Sequence, residues 1–445
     1  MTAPMPWFPR EFAWGTATAA YQIEGSPAAD GKGPSIWDTF AHTSGKITTG
    51  ETGDVACDHY RRWEQDLDLA KEVGCTAYRF SISWPRIVPQ GSGTIEPRGL
   101  DFYERLVDGM LDRGIAPYAT LFHWDLPQAL QDRGGWYSRE TAVAFGDYAG
   151  AVAERIGDRV SAFITLNEPC IHTFLGHVVG THAPGLYDLE RVYWVIHHQL
   201  LAHGLATRAI RERGTTPVGL TNNHSPIFAL NPESEADILA ADRMDMQYNR
   251  QYLDPLLLKR NPGDVDELYG PRSSEVIEQG DLDIIGQRLD FLGVNYYSPQ
   301  WVRGASADNP LGFELAQAPD QYPRTAFGWP VVPEGLTDLL LRLRSDYSHA
   351  LPPILVTENG TSWPEPVHDQ FRIDYLDSHV RAVAAAMAEG ADVRGYFCWS
   401  LMDNFEWAEG TSQRFGLVNV DFETQQRTVR DSGRWYADLA AGRLT

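Results

Sequence analysis

Two short runs carry the chemistry of this chain, Thr165-Leu166-Asn167-Glu168-Pro169 and Val356-Thr357-Glu358-Asn359-Gly360. In each, a glutamate closes an apolar stretch: Phe163-Ile164-Thr165-Leu166 in the first, Ile354-Leu355-Val356 in the second. Short β-branched and apolar runs bounded by Asn, Pro and Gly read as core strands. A carboxylate at the C-terminal end of a barrel strand reads as a catalytic group. Two such groups, brought together by the fold, are what cleavage of a glycosidic acetal requires.

The elements that must position them alternate strand and helix. Strands are expected over 12–18, 77–81, 116–121, 163–167, 218–221, 291–295, 354–358 and 393–399. Apolar residues recur at helical spacing over 60–73, 100–112, 141–156, 192–213, 336–345 and 371–389. Gly74, Gly114, Gly157, Gly214 and Gly390 follow such runs and suit left-handed positions just past a helix. Eight strands alternating with helices imply parallel pairing and an α/β fold, a single (β/α)8 TIM barrel spanning 1–445. The Gly-, Pro-, Ser- and Thr-rich stretches 25–57 and 299–335 read as long loops over the C-terminal rim.

In that fold the strand ends share one rim. Strand one ends near Gln22 and Glu24, strand two carries Arg79, and strand three leads to His123 and Trp124. Strand four gives Asn167 and Glu168, strand six Asn295, Tyr296 and Tyr297, and strand seven Glu358. Strand eight gives Trp399, followed by Glu406 and Trp407. Any one of these is explained by a structural ion pair or by packing. Polar groups at nearly every strand end are not, because buried polar groups must be satisfied. Tryptophans beside acids and amides also suit a pyranose, with its C–H faces and hydroxyl rim.

These blocks resemble glycoside hydrolase family 1, the β-glucosidase family of bacterial type. The resemblance runs from Phe12-Ala13-Trp14-Gly15-Thr16-Ala17-Thr18-Ala19-Ala20-Tyr21-Gln22-Ile23-Glu24-Gly25 through Tyr78-Arg79-Phe80-Ser81-Ile82-Ser83-Trp84-Pro85-Arg86. It continues in Leu121-Phe122-His123-Trp124-Asp125-Leu126-Pro127 and His182-Ala183-Pro184-Gly185. It closes with Trp399-Ser400-Leu401-Met402-Asp403-Asn404-Phe405-Glu406-Trp407 and Arg414-Phe415-Gly416-Leu417.

The resemblance implies a retaining, exo-acting β-glucosidase without cofactor or metal. Glu168 takes the acid/base role and Glu358 the nucleophile role. Arg79 and Tyr297 are expected beside Glu358, and Asn167 on the sugar 2-hydroxyl. Gln22, His123, Glu406 and Trp407 resemble the ligands of the other hydroxyls, with Trp399 as the stacking floor. Trp124, Asn295 and Phe415 complete the substrate-binding set, and Trp329 is the candidate aglycone wall. An ionised Glu406 would repel a 6-phosphate by like charge, which disfavours the 6-phospho-β-glycosidase branch. Glu168 is not a glutamine, which argues against the thioglucosidase branch. Cys170 stands where many bacterial members carry Trp, and Thr411 where Tyr is frequent. Both departures bear on the leaving-group side, not on bond breaking. The implied substrates are small β-glycosides such as cellobiose or aryl glucosides, with tolerance for β-galactosides and β-fucosides, and cellulose degradation is the implied process. Two other readings share these residues: a transglycosylase of the same family and a catalytically silent sugar-binding barrel.

Bulk properties narrow the partners. A formal charge of −23 and an isoelectric point near 4.9 repel phosphate backbones and anionic lipid, so neither nucleic acid nor membrane is an expected partner. The N-terminal segment Met1-Thr2-Ala3-Pro4-Met5-Pro6-Trp7 has neither a basic region nor an apolar one, and no long apolar run follows. Four cysteines without CxxC spacing read as free thiols in a reducing cytoplasm. A homo-oligomer is compatible with all of this. His197, His198 and His203 share a helical pattern, but their spacing suits no common metal pair. The sequons Asn223-His224-Ser225 and Asn359-Gly360-Thr361 would matter only in a secreted chain.

Overall fold

Parallel strands need crossovers, and a crossover helix hides each strand from water on its outer face. The computed structural model, which describes residues 5–306 and 309–444, has this pattern throughout. Residues 1–4, part of the segment read above for a leader, lie outside the described residues, as do 307, 308 and 445. The strands are β1 (Ala13–Ala17), β2 (Ala77–Ser81), β3 (Ala116–Phe122), β4 (Ala162–Asn167), β5 (Val218–Asn223), β6 (Phe291–Asn295), β7 (Ile354–Asn359) and β8 (Val393–Trp399). They pair in parallel in chain order and close with β8 on β1. Strands β2, β4, β6 and β7 are buried at every position, as a sheet covered on both faces must be. The fold is a (β/α)8 TIM barrel.

The helices form for reasons legible in the chain. Helix Pro97–Asp112 starts on a proline, and Glu96 accepts from the Arg98 amide at 3.2 Å. It buries Leu100, Phe102, Leu106, Val107 and Met110 at helical spacing, and it ends near Gly114, whose φ of +72° only glycine adopts freely. Gly74 and Gly390 end their helices likewise, at φ +81° and +96°. Gly157 and Gly214 do not. Gly157 keeps helical angles (φ −61°) because the chain turns on without reversing, and Gly214 is absent from the positive-φ positions because the preceding helix has already ended at Arg211. Side chains fill the barrel tightly. A Cβ on Gly293 of β6 would lie 1.9 Å from the Thr221 hydroxyl of β5.

The loop expected over 299–335 holds more order than its composition indicates. Gln300–Gly304 pairs in parallel with Ile227–Ala229 and antiparallel with Phe313–Ala316. This small sheet stands beside the rim together with helix Glu235–Asp245.

Candidate active site

Register brings the two glutamates to one rim. Glu358, near the end of β7, is the ladder partner of Asn295, the last residue of β6. Glu168 directly follows β4, and its amide donates to the Thr221 carbonyl of β5 at 2.8 Å. Asn295 Nδ2 donates to Glu168 Oε1 at 2.7 Å and lies 3.2 Å from Asn167 Oδ1. Asn223, the last residue of β5, adds a second amide to the same Glu168 oxygen at 3.3 Å.

The surroundings of Glu358 are different. Arg79 Nη1 donates to Oε1 at 2.5 Å, and the Tyr297 hydroxyl donates to Oε2 at 2.8 Å. A guanidinium and a phenol thus favour its charged form, whereas Glu168 meets only neutral amides. Burial pushes Glu168 up to about 8, with the nearby Glu358 charge adding to it. Burial also raises Glu358, but the Arg79 charge and the Tyr297 hydrogen bond oppose that rise. In so close a pair the group with the cation ionises first and the other keeps its proton. Burial, then Glu358, holds the Tyr297 phenol well above its ordinary range, so it remains a donor.

Asn167 locks this arrangement. Its Oδ1 accepts from Arg79 Nη2 at 2.5 Å and from Asn295, so its Nδ2 must face His123 Nε2, 2.9 Å away. That bond makes Nε2 the acceptor and leaves the proton on Nδ1, which has no protein partner. Burial and the Arg79 charge lower the His123 ring well below its ordinary value, so it is neutral.

A pocket of about 420 Å³ opens onto these groups. Glu168, Glu358, Tyr297, His123, Trp124, Trp329, Trp399, Glu406, Trp407 and Phe415 line it, as the sequence reading placed them. Gln22, Arg79, Asn167 and Asn295 lie behind the wall. Gln22 donates to Asn404 Oδ1 and to the Phe405 carbonyl, both at 3.0 Å, and its Oε1 is buried without a partner. Asn295, like Gln22 and Asn167, is fully buried: its amide is committed to Asn167 and Glu168, and its Oδ1 accepts from Thr357 at 2.8 Å. The Trp124 indole is likewise used internally, donating to the Asn167 carbonyl at 2.9 Å. Glu406 lies 3.4 Å from Gln22 Nε2. Burial, then the neighbouring Glu358 and Glu168, pushes its carboxyl up to about 8. A 6-phosphate would meet a wall holding four glutamates and, among the described residues, neither lysine nor arginine.

Three wall residues that are not glycine have left-handed backbone: Trp124 (φ 75°), Glu168 (φ 45°) and Trp407 (φ 48°). Such angles are uncommon for large side chains and gather where a fold must aim a group.

Other rim candidates turn away. Glu24 pairs with Arg86 at 2.8 Å and accepts from Tyr103 at 2.6 Å, all buried. Tyr296 points into the core and donates to the Val332 carbonyl at 2.6 Å. Cys170 is buried against Asn222 and Asn223, and Ile171 is the lining residue at this point. The three helical histidines face Asp281, Trp136 and Thr165 separately. Asn359 is buried and bonded to Tyr296 and Tyr396. The sequence reading missed Asn223 and Phe327. The signal for Asn223 was the Asn222-Asn223 pair ending β5; Phe327, stacked on Trp329 at 4.4 Å, has no signal beyond its place in the long loop.

Known proteins resemble this chain along nearly its whole length. "Beta-glucosidase A" of Thermotoga maritima is 45% identical, with 97% of each chain covered. A "Bifunctional beta-D-glucosidase/beta-D-fucosidase" of Bifidobacterium breve is 46% identical, with 98% of each covered. The crystal structure of a psychrophilic beta-glucosidase from Micrococcus antarcticus superposes with a TM-score of 0.94 at 47% identity, covering 98% of both chains. The family description "Glycosyl hydrolase family 1" matches residues 5–443, nearly the whole chain, and the chain therefore belongs to glycosyl hydrolase family 1.

Proposed function

We propose that this glycoside hydrolase is a retaining, exo-acting β-glucosidase working through a covalent glycosyl-enzyme. The observation that carries the reading is the asymmetry of the two carboxyls: Glu358 held by Arg79 and Tyr297, Glu168 held by amides alone. The ionised Glu358 attacks the anomeric carbon while Glu168 protonates the departing oxygen. Esterification then removes the Glu358 charge, the acidity of Glu168 rises, and it accepts a proton from the incoming water. One amide proton of Asn167 is uncommitted and is the group for the sugar 2-hydroxyl. His123 Nδ1, Gln22 Oε1 and Glu406 hold the remaining hydroxyls, with Trp399 beneath the ring.

Small β-glucosides are the substrates. Gln22 and Glu406 can meet an O4 hydroxyl in either configuration, which supports tolerance of β-galactosides. The fucosidase activity named for the Bifidobacterium breve relative supports β-fucosides. Four buried free cysteines fit a reducing compartment. Proton NMR of 4-nitrophenyl β-glucoside hydrolysis tests the reading. β-Glucose is expected as the first product, and first-formed α-glucose rejects it.

A further inference from the structure

Beyond Asn223 and Tyr297 lies a second chamber of about 370 Å³. It shares Ile171, Leu175, Asn223, Tyr297 and Trp329 with the catalytic pocket, so the two adjoin. Its outer wall is apolar, formed by Phe174, Val178, Val179, Met244, Leu311 and Leu315. Leu315 and Val179 remain 64% and 44% exposed. A lone surface leucine needs no explanation, but apolar side chains gathered round a concave mouth mark a binding surface.

Two π-helical segments, Phe174–Val179 and Met246–Arg250, contribute to this wall. Such turns are rare and concentrate at functional sites. The chamber also has a defined side. Tyr248, from the second segment, donates to Asn223 Oδ1 at 3.1 Å, and Asn223 donates to Glu168 at 3.3 Å. The inner wall is thus hydrogen-bonded to the group that protonates the departing oxygen, whereas Gln22 and Glu406 hold the opposite, sugar-binding end.

We propose that this chamber seats an apolar, ring-bearing aglycone, so that β-glucosides of aromatic alcohols and phenols are preferred to cellobiose. The proposal rests on the β-glucosidase reading. An apolar cavity of roughly 150 Å³ holds one benzene, so this volume has room for two fused rings. The lining also holds Ser225, Gln247, Ser298 and Gln300, but a second glucose would still press hydroxyls against Phe174, Val178 and Leu315, which offer them no partner.

Methyl, benzyl and 2-(2-naphthyl)ethyl β-D-glucosides and cellobiose test this, because all release alkyl alcohols and leaving-group acidity does not sort them. The naphthylethyl glucoside is expected to exceed both the methyl glucoside and cellobiose in kcat/KM by about 30-fold. Leu315→Asp and Val179→Asp should each lower the naphthylethyl-to-methyl ratio by about 5-fold or more. Both positions are exposed, so the core is untouched, and the wild-type series decides if either variant misfolds. A wild-type advantage under about 10-fold over either comparison substrate overturns the proposal, as does a ratio that both folded variants leave unchanged. A wild-type chain inert toward 4-nitrophenyl β-glucoside as well overturns the β-glucosidase reading and this proposal with it.

Discussion

Arg79 sets one guanidinium nitrogen 2.5 Å from Oε1 of Glu358, with both side chains almost wholly buried. A carboxylate taken so far from water stays charged only if it is paired. The same guanidinium reaches Asn167 with its other terminal nitrogen, so one side chain fixes the charge on the nucleophile and the position of the amide offered to the sugar. The division of labour between the two glutamates depends on this one cation.

Glu358→Gly should therefore lose activity by a factor on the order of 10⁴ or more. Azide or formate fits the vacated space and should restore part of the rate, with azide giving the α-glucosyl product. Full activity without added nucleophile would remove Glu358 from its role.

Glu168→Ala should slow alkyl glucosides by about 10²- to 10⁴-fold while barely slowing glycosylation by 2,4-dinitrophenyl glucoside, whose leaving group needs no proton. An equal loss on both substrates would contradict an acid function.

The pH dependence follows from the same pair. Glu358 must be ionised and Glu168 protonated, so kcat/KM should rise with pH as Glu358 loses its proton. It should fall as pH passes about 8, where Glu168 loses its own. With 2,4-dinitrophenyl glucoside, whose leaving group needs no proton, the alkaline limb of kcat/KM should largely disappear. A limb as steep as that of an alkyl glucoside would assign it to another group.

Glu406→Ser removes an acid that burial pushes up to about 8 and opens room at the sugar's 4- and 6-positions. Neutral glucosides should weaken by about 10-fold or more, and the ratio of 6-phosphoglucoside to glucoside turnover should increase. A constant ratio would show that Glu406 does not govern this choice.

Away from the site, Arg430 donates to both Asp403 oxygens at 2.8 Å with neither residue exposed. Arg430→Met would leave the buried Asp403 carboxylate with only the more distant Arg414, 3.6 Å away, as a cation and should cost about 3 kcal/mol in urea unfolding. The double variant with Asp403→Leu should recover much of that loss. A single variant as stable as the parent would refute the buried pair as a stabilising contact.

Much of this was legible in the chain. Strands β2, β6 and β8 match the expected runs end for end, because a strand covered on both faces is apolar at most positions. Strand β5 was read two residues short. Asn is poor in strands, yet Asn222 and Asn223 continue the ladder because their side chains find partners in Cys170 and Glu168. The rim residues were identifiable by type, but their side-chain targets were not. That Asn295 ties Asn167 and Glu168 together depends on rotamers set by three strands at once. The raised pKa of Glu406 was equally hidden, since its first cause is burial by separate loops. The sheet beside the rim escaped notice because Ile227–Ala229 is too short to show alternation.

The left-handed backbone at Glu168 has a consequence for durability. A glutamate there works against its own chirality by about 1–2 kcal/mol, whereas glycine adopts the same angles without penalty. A chain carrying Glu168→Gly, poor as a hydrolase, should melt above its parent in calorimetry once the buried acid and the unfavourable dihedral are both gone. At this position the fold keeps aim and gives up heat resistance.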